Sequence, residues 1–183
     1  MSSPDHTAPV ATVAVYYKVG LRSEPKGLTG FSHLFEHMMF QGSANHDTDY
    51  FLPLQKVGAQ VNGSTNKDRT NYWENVPRDQ LELALFLEAD RMGNLLPAMT
   101  QEKLDNQRDV VKNEKRQSYD NRPYGSFYEK LMAAVFSEGH PYHHTPIGSM
   151  EDLDAAGVGQ RQVTDVALDR DARIVRDLQV LSG

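Results

Sequence analysis

The stretch 30-GFSHLFEHMMFQG-42 places His33, Glu36 and His37 within five consecutive positions. Its apolar residues Phe31, Leu34, Phe35, Met38 and Met39 recur at helical spacing, and Gly42 supplies a terminator. A helix turns about 100° per residue, so His33 and His37 lie about 40° apart on one face. Glu36 falls about 60° to the other side of His33, inside the same narrow arc. Two imidazoles one turn apart can share a zinc ion, with Zn–N distances of about 2.0–2.1 Å. A carboxylate beside them, too far round to be their natural third ligand, can take a proton from water that zinc has made acidic. A chance H-x-x-E-H somewhere in a chain of this composition has a probability of about 0.01. The bland alternative is a helix whose histidines line a polar face without metal.

A catalytic zinc needs a third protein ligand and one open position. The candidate is Glu114, in 108-RDVVKNEKRQS-118, on a long helix where Val110 and Val111 mark the adjacent buried side. The competing reading is a solvated glutamate, as most glutamates on so charged a helix are.

Outward from the motif, 9-PVATVAVYYKVG-20 alternates with period two and reads as a strand. A loop follows through its Pro and Gly residues, then the motif helix, then a short helix over Tyr50 to Val57 stopped by Gly58. The segment 59-AQVNGSTNKDRTNYWENVP-77 reads as two strands joined near Asn66–Arg69. Helices are expected over Asp79–Met92, with Leu81, Leu85 and Leu87 entering a core, and over Thr100–Tyr119 and Ser126–Phe136. Ser149 with Asp152 resembles a capping box opening one more helix. Strands among several helices, with one hairpin, predict an α+β fold: a mainly antiparallel sheet with helices packed on it.

Composition narrows the function classes. The 183 residues suit one domain of ordinary soluble character, with 24% charged and 39% apolar residues. A net charge of −6 with no basic face argues against a nucleic-acid partner. No apolar run is long enough for a membrane span, and no signal-like segment opens the chain. With no cysteine, any metal must be held by His, Asp or Glu. The same absence suits a cytoplasmic and an extracytoplasmic setting equally and places the protein in neither.

His33-x-x-Glu36-His37 followed, after 76 intervening residues (114 − 37 − 1), by Glu114 resembles the inverted zinc motif of the pitrilysin/insulysin family of metallopeptidases. The flanks are similar too: 24-EPKGLTGFSHLFEHMMFQGS-43, 61-VNGSTNKDRTNYWENVP-77 and 140-HPYHHTPIGSMEDL-153. The resemblance runs from about Pro4 to Ala156. It implies the half-domain fold of LuxS/pitrilysin-like metallopeptidases, a Zn2+ cofactor held by His33, His37 and Glu114, and Glu36 as general base. It also implies that the strand 61-VNGST-65 lies at a sheet edge beside the zinc, where Asn62, Gly63 and Ser64 would pair with an extended peptide substrate by strand addition. Gly63 stands where the family has alanine. A zinc-dependent endopeptidase domain follows as the leading expectation. The runner-up is a half-domain that binds zinc and peptide but needs a second homologous half, on the same or a separate chain, for turnover.

The chain departs from the family in three places. Gln107 stands where a second glutamate commonly precedes the third ligand by seven residues, and its uncharged amide is expected to support the zinc site less strongly. The chain starts where the family would already have completed a first strand, so residues 1–156 are expected to form a half-domain lacking that strand. The tail, 157–183, holds no aromatic residue and eight Asp or Arg, and does not match the family; a shifted reading frame or truncated gene is its expected origin. Two other histidine sets are read as structural: the loop cluster His140, His143 and His144, without a neighbouring carboxylate, and His46, without a visible partner.

Overall fold

The computed structural model describes residues 7–157 and 179–182. The elements in chain order are β1 (Val10–Tyr17), α1 (Phe31–Met38), α2 (Phe51–Lys56), β2 (Gln60–Thr65), β3 (Thr70–Pro77), α3 (Leu81–Ala98), α4 (Gln101–Lys115), α5 (Phe127–Val135), α6 (Met150–Ala155) and β4 (Gln179–Ser182). The strands form one antiparallel sheet in the order β2-β3-β1-β4. The expected α+β class and mainly antiparallel sheet are therefore present. β4 is the described part of the tail; the remainder of 157–183, apart from Gly157, lies outside the described residues, as do residues 1–6.

Period-two alternation decides which sheet face is covered. Ala11, Val13 and Val15 of β1 stand opposite Val76, Glu74 and Tyr72 of β3, and all six are buried. Val61, Gly63 and Thr65 of β2 continue the same face. Against it pack Tyr50, Leu54 of α2, Ala84, Leu87 and Leu95 of α3, and Met39 and Phe40 just after α1. A second core joins α1 to α4 and α6 through Phe31, Leu34, Met38, Leu104, Val111, Ile147 and Leu153. α1 thus buries two of its sides in two cores, and the arc left over carries His33, Glu36 and His37.

Within the first core lies a charged cluster. Arg91 is 1% exposed and Glu74 and Glu88 are 0% exposed. The guanidinium pairs with both carboxylates and sits 4.2 Å from the Tyr72 ring centre and 4.3 Å from that of Tyr50.

Three sequence expectations need correction. The helix placed over Asp79–Met92 runs on to Ala98. Gly93 does not stop it, because Leu95 and Ala98 still bury apolar surface. Pro97 cannot donate to the carbonyl four residues back, and a kink at Asn94 (φ −133°) absorbs that break. Val111 is fully buried as expected, but Val110 is 43% exposed: only Val111 continues the Gln107–Lys115 stripe. Ser149 Oγ accepts from Asp152 N at 3.0 Å, which is half of a capping box. The Asp152 carboxylate instead accepts from Thr29 N and Oγ1, at 2.9 and 2.6 Å, and ties α6 to the start of α1.

Candidate active site

α1 begins at Gly30, which has no side chain with which to cap the helix, and whose φ of +86° suits glycine. A Cβ there would stand 2.6 Å from the Ile147 carbonyl oxygen. The cap comes from a distance. Glu24 accepts from Gly30 N at 3.0 Å and Ser32 N at 2.8 Å, which satisfies two of the free amides of the first turn. His144 Nε2 meets the same carboxylate at 2.9 Å, so the late loop, α1 and the 24–29 segment share one buried anion. His144 accordingly has the carboxylate neighbour that sequence reading denied to its cluster, and His46 has a partner in the Thr48 hydroxyl at 3.0 Å. Replacing Glu24 by Ala strips both amides of their acceptor; the expected loss is about 2–3 kcal/mol of folding stability, read by chemical denaturation at unchanged m-value. Wild-type stability in that variant would refute the capping role.

α4 crosses α1 so that Glu114 reaches both motif histidines. Glu114 Oε2 lies 3.6 Å from His33 Nε2 and 3.5 Å from His37 Nε2, and the imidazole rings stand edge to face with centres 4.8 Å apart. Tetrahedral zinc with bonds of about 2.0–2.1 Å would hold its ligand atoms about 3.4 Å apart. Both Glu114–imidazole separations suit that ion, all three donor atoms lie within 4.8 Å of one another, and two imidazoles with one carboxylate are a donor set that zinc accepts. They are the one such His/Asp/Glu group among the described residues. Gln107, two turns before Glu114, is buried on the same face, and its side chain adds to the rise of the His37 imidazole.

The electrostatics favour one proton fewer on His33 than on His37. Burial holds the His33 imidazole down at about 4, despite the pull of Glu114. At His37 burial works in the same direction, but Glu114 and Glu36 outweigh it and raise the ring above its ordinary value. The His37 ring in turn holds Glu114 below the usual carboxylate range. Below the raised His37 value, binding a cation must then displace the proton that His37 shares with Glu114. Zinc affinity is expected to fall as pH drops through the raised His37 value, with proton release measurable by calorimetry in buffers of different ionisation heat.

Glu36 stands apart from the three donors. It is 9% exposed, and Thr65 Oγ1 of β2 donates to its Oε2. Burial raises its pKa, and Thr65 works against that rise. β2 is an edge of the sheet among the described residues. Gly63 faces Glu36: a Cβ at this position would lie 3.1 Å from Oε1, 3.1 Å from Tyr72 Cδ1 and 3.2 Å from Phe40 Cε2. Asn62 and Ser64 point to the other sheet face. Asn62 Oδ1 accepts from Gly63 N at 2.8 Å, whereas Ser64 Oγ donates to Asn71 and accepts from Arg69. The structure so brings His33, His37, Glu114, Glu36, Gln107 and Gly63 together, and leaves the Asn62 and Ser64 side chains facing away.

Two contributors escaped sequence reading. Thr65 was legible only as strand, although its place two residues from Gly63 gives it the same face. Glu24 left a fainter sign: a helix that opens on glycine, without Ser, Thr, Asp or Asn as cap, with an acid six residues upstream.

The model of the family described as Insulinase (Peptidase family M16) matches residues 1–145. The zinc protease PqqE of Helicobacter pylori is 36% identical over 145 residues, which are 79% of this chain and 32% of that protein. The crystal structure of a protease from Helicobacter pylori superposes with a TM-score of 0.85 at 30% identity, covering 98% of this chain and 42% of that one. Pitrilysin shares the fold, with a TM-score of 0.79 at 23% identity over 99% of this chain and 19% of its own. The chain spans about a third of the length of the first of these relatives. A family match over most of its length, on a fold shared with solved peptidases of the same architecture, makes this chain a member of the insulinase family of peptidases, family M16.

Proposed function

We propose that residues 1–156 form a zinc-dependent metalloendopeptidase half-domain that hydrolyses extended peptides. The observation that carries this is the convergence of three donors within 4.8 Å of one another, with a buried carboxylate beside them that is not one of the three. His33, His37 and Glu114 would hold the ion. Zinc, when bound, supplies a Lewis acid that makes water acidic near neutral pH. Glu36 is placed to take the proton released there, and burial, by raising its pKa, makes it the stronger base. The same carboxyl can pass that proton to the departing amine.

The open edge of β2 supports strand addition. Gly63 N bonds to the Asn62 side chain rather than to β3, so a peptide lying along this edge would replace Asn62 Oδ1 as acceptor. Without a Cβ at position 63, the peptide backbone can lie close to Glu36. A second homologous half is the proposed partner, since the matched residues make up only 32% of a relative such as PqqE. Among the described residues no helix is long and apolar enough to cross a membrane.

Zinc titration of the metal-free chain tests the ligand set. One ion per chain is expected, with affinity lost in His37→Ala and strongly reduced in Glu114→Gln, and kept in Glu36→Gln. Equal binding by the His37→Ala chain would remove the reading. Gly63→Ala is expected to leave zinc affinity unchanged and to keep the fold, since the Glu36 and Phe40 side chains need to yield only a few tenths of an ångström. A crystal structure of that variant with Glu36 turned away from the histidines would contradict this.

A further inference from the structure

Glu36 lies at the end of a chain of hydroxyls that starts on a different part of the fold. Thr65 Oγ1 donates to Glu36 Oε2 and lies 3.2 Å from Thr70 Oγ1. Thr70 Oγ1 has one proton for two acceptors, Thr65 Oγ1 and the Val19 carbonyl oxygen at 2.9 Å, and with the Thr65 proton on Glu36 only Thr70 can donate between the two threonines. The two threonines face each other at the last pair of the β2–β3 ladder. An ionised Glu36 offers acceptors only, so the single Thr65 hydroxyl proton is committed to it.

What stands behind Thr65 is fixed. The reversal after it is closed by Asn66, whose Oδ1 accepts from Asp68 N at 2.9 Å and Arg69 N at 3.0 Å. The 19–22 segment is fastened to the same reversal, Leu21 N to Asn66 O at 3.2 Å and Arg22 N to Lys67 O at 2.9 Å. Gly20 packs so closely there that a Cβ would meet Asn66 O at 2.4 Å. Thr70 itself is 5% exposed. Glu36, by contrast, has rotatable side-chain bonds, and among the described residues no other side chain donates to its carboxylate. A general base must stay within hydrogen-bond reach of the proton it takes, and a displacement of about 1 Å can cost about 10²-fold in rate.

We propose that Thr65, braced by Thr70, is the positioning residue of Glu36: its hydroxyl holds the carboxylate beside the three donors and outside their set. The inference rests on Glu36 as the general base, and the contact can be read without any activity. In the chain labelled with 13C at glutamate methylenes, the Glu36 Cγ signal is assigned by its loss in Glu36→Gln, and its order parameter is measured. In Thr65→Val, of nearly the same volume, the order parameter should fall toward those of the exposed Glu102 and Glu151. Thr65→Ser should restore it, and zinc affinity should stay the same in both. In the assembled enzyme, kcat should fall about tenfold in Thr65→Val at unchanged KM, and recover in Thr65→Ser. A Glu36 as rigid in Thr65→Val as in the wild type overturns the proposal, and so does a Thr65→Ser chain as mobile as Thr65→Val. A Glu36→Gln enzyme that still cleaves would sink the general base instead, while the order parameter continues to report the contact.

Discussion

Glu36→Gln should lower zinc-dependent peptide cleavage by about 10²–10⁴-fold while leaving zinc content and folding stability near those of the wild type. The substitution is close to isosteric, so the amide fills the space against Gly63 and Phe40 that the carboxylate fills. Its carbonyl oxygen still accepts from Thr65. What the amide lacks is a basic oxygen, and the reaction needs a group that takes a proton and gives it back. Because Glu36 is not among the three converging donors, its loss separates chemistry from metal binding in a way that no histidine substitution can. The measurement is cleavage of a quenched fluorescent peptide by the chain with zinc, alone and with a complementary half supplied, beside the zinc stoichiometry of each protein. Cleavage at the wild-type rate by a zinc-loaded Glu36→Gln protein would remove Glu36 from the mechanism. A chain that loses its zinc on this substitution would show that Glu36 belongs to the ligand set after all.

Much of this site was legible in the sequence because one helix carries most of it. His33, Glu36 and His37 are local, and helical rotation alone places them on one arc. Glu114 could be named as a candidate third ligand, but only the family resemblance tied it to the motif, since no periodicity reports which helix crosses α1. The same boundary separates the elements read correctly from those missed. Gly58, at positive φ directly after the Val57 C-cap, ended α2 where local rules put it, whereas α1 already stops at Met38, before Gly42 is reached. Gly93 did not end α3, because burial of Leu95 on the sheet core outweighs the local propensity of one glycine. Thr65, Glu24 and the partner of His144 are long-range facts: their contacts join residues 29, 8 and 120 positions apart. A pattern rule sees a strand threonine or a loop acid there and nothing more.

The buried cluster of Arg91, Glu74 and Glu88 was likewise invisible in the sequence, and Arg91→Met should be among the most damaging single changes in the chain. Two carboxylates share one guanidinium in an interior with no exposed atom to spare. Burial and the neighbouring Glu88 push Glu74 up to about 9, so Glu74 is neutral at pH 7, and the Arg91 guanidinium also pairs with the Glu88 carboxylate. Deleting the guanidinium leaves that carboxylate without its counter-charge, at an expected cost of about 3–5 kcal/mol, a large part of the about 5–15 kcal/mol that holds a domain together. The damage would reach the site, because Arg91 is stacked on Tyr72, whose ring borders Phe40 and the Glu36 side of Gly63. Replacing all three charged residues with apolar ones of similar size should recover much of the loss, which a simple packing defect would not allow. The sign of the pH dependence follows from Glu74. Its folded value is raised, so its contribution is fully present below the ordinary carboxylate pKa of 4.5 and is lost as pH rises through about 9. Between those limits stability should fall with rising pH, by at most about 1.4 kcal/mol per unit, and Glu74→Gln should flatten that slope. Denaturation midpoints from pH 5 to pH 9 (bounds set by those limits) decide the matter. A slope that survives in Glu74→Gln would place the titrating proton elsewhere, and an Arg91→Met chain as stable as the wild type would mean that the guanidinium does not hold the cluster together.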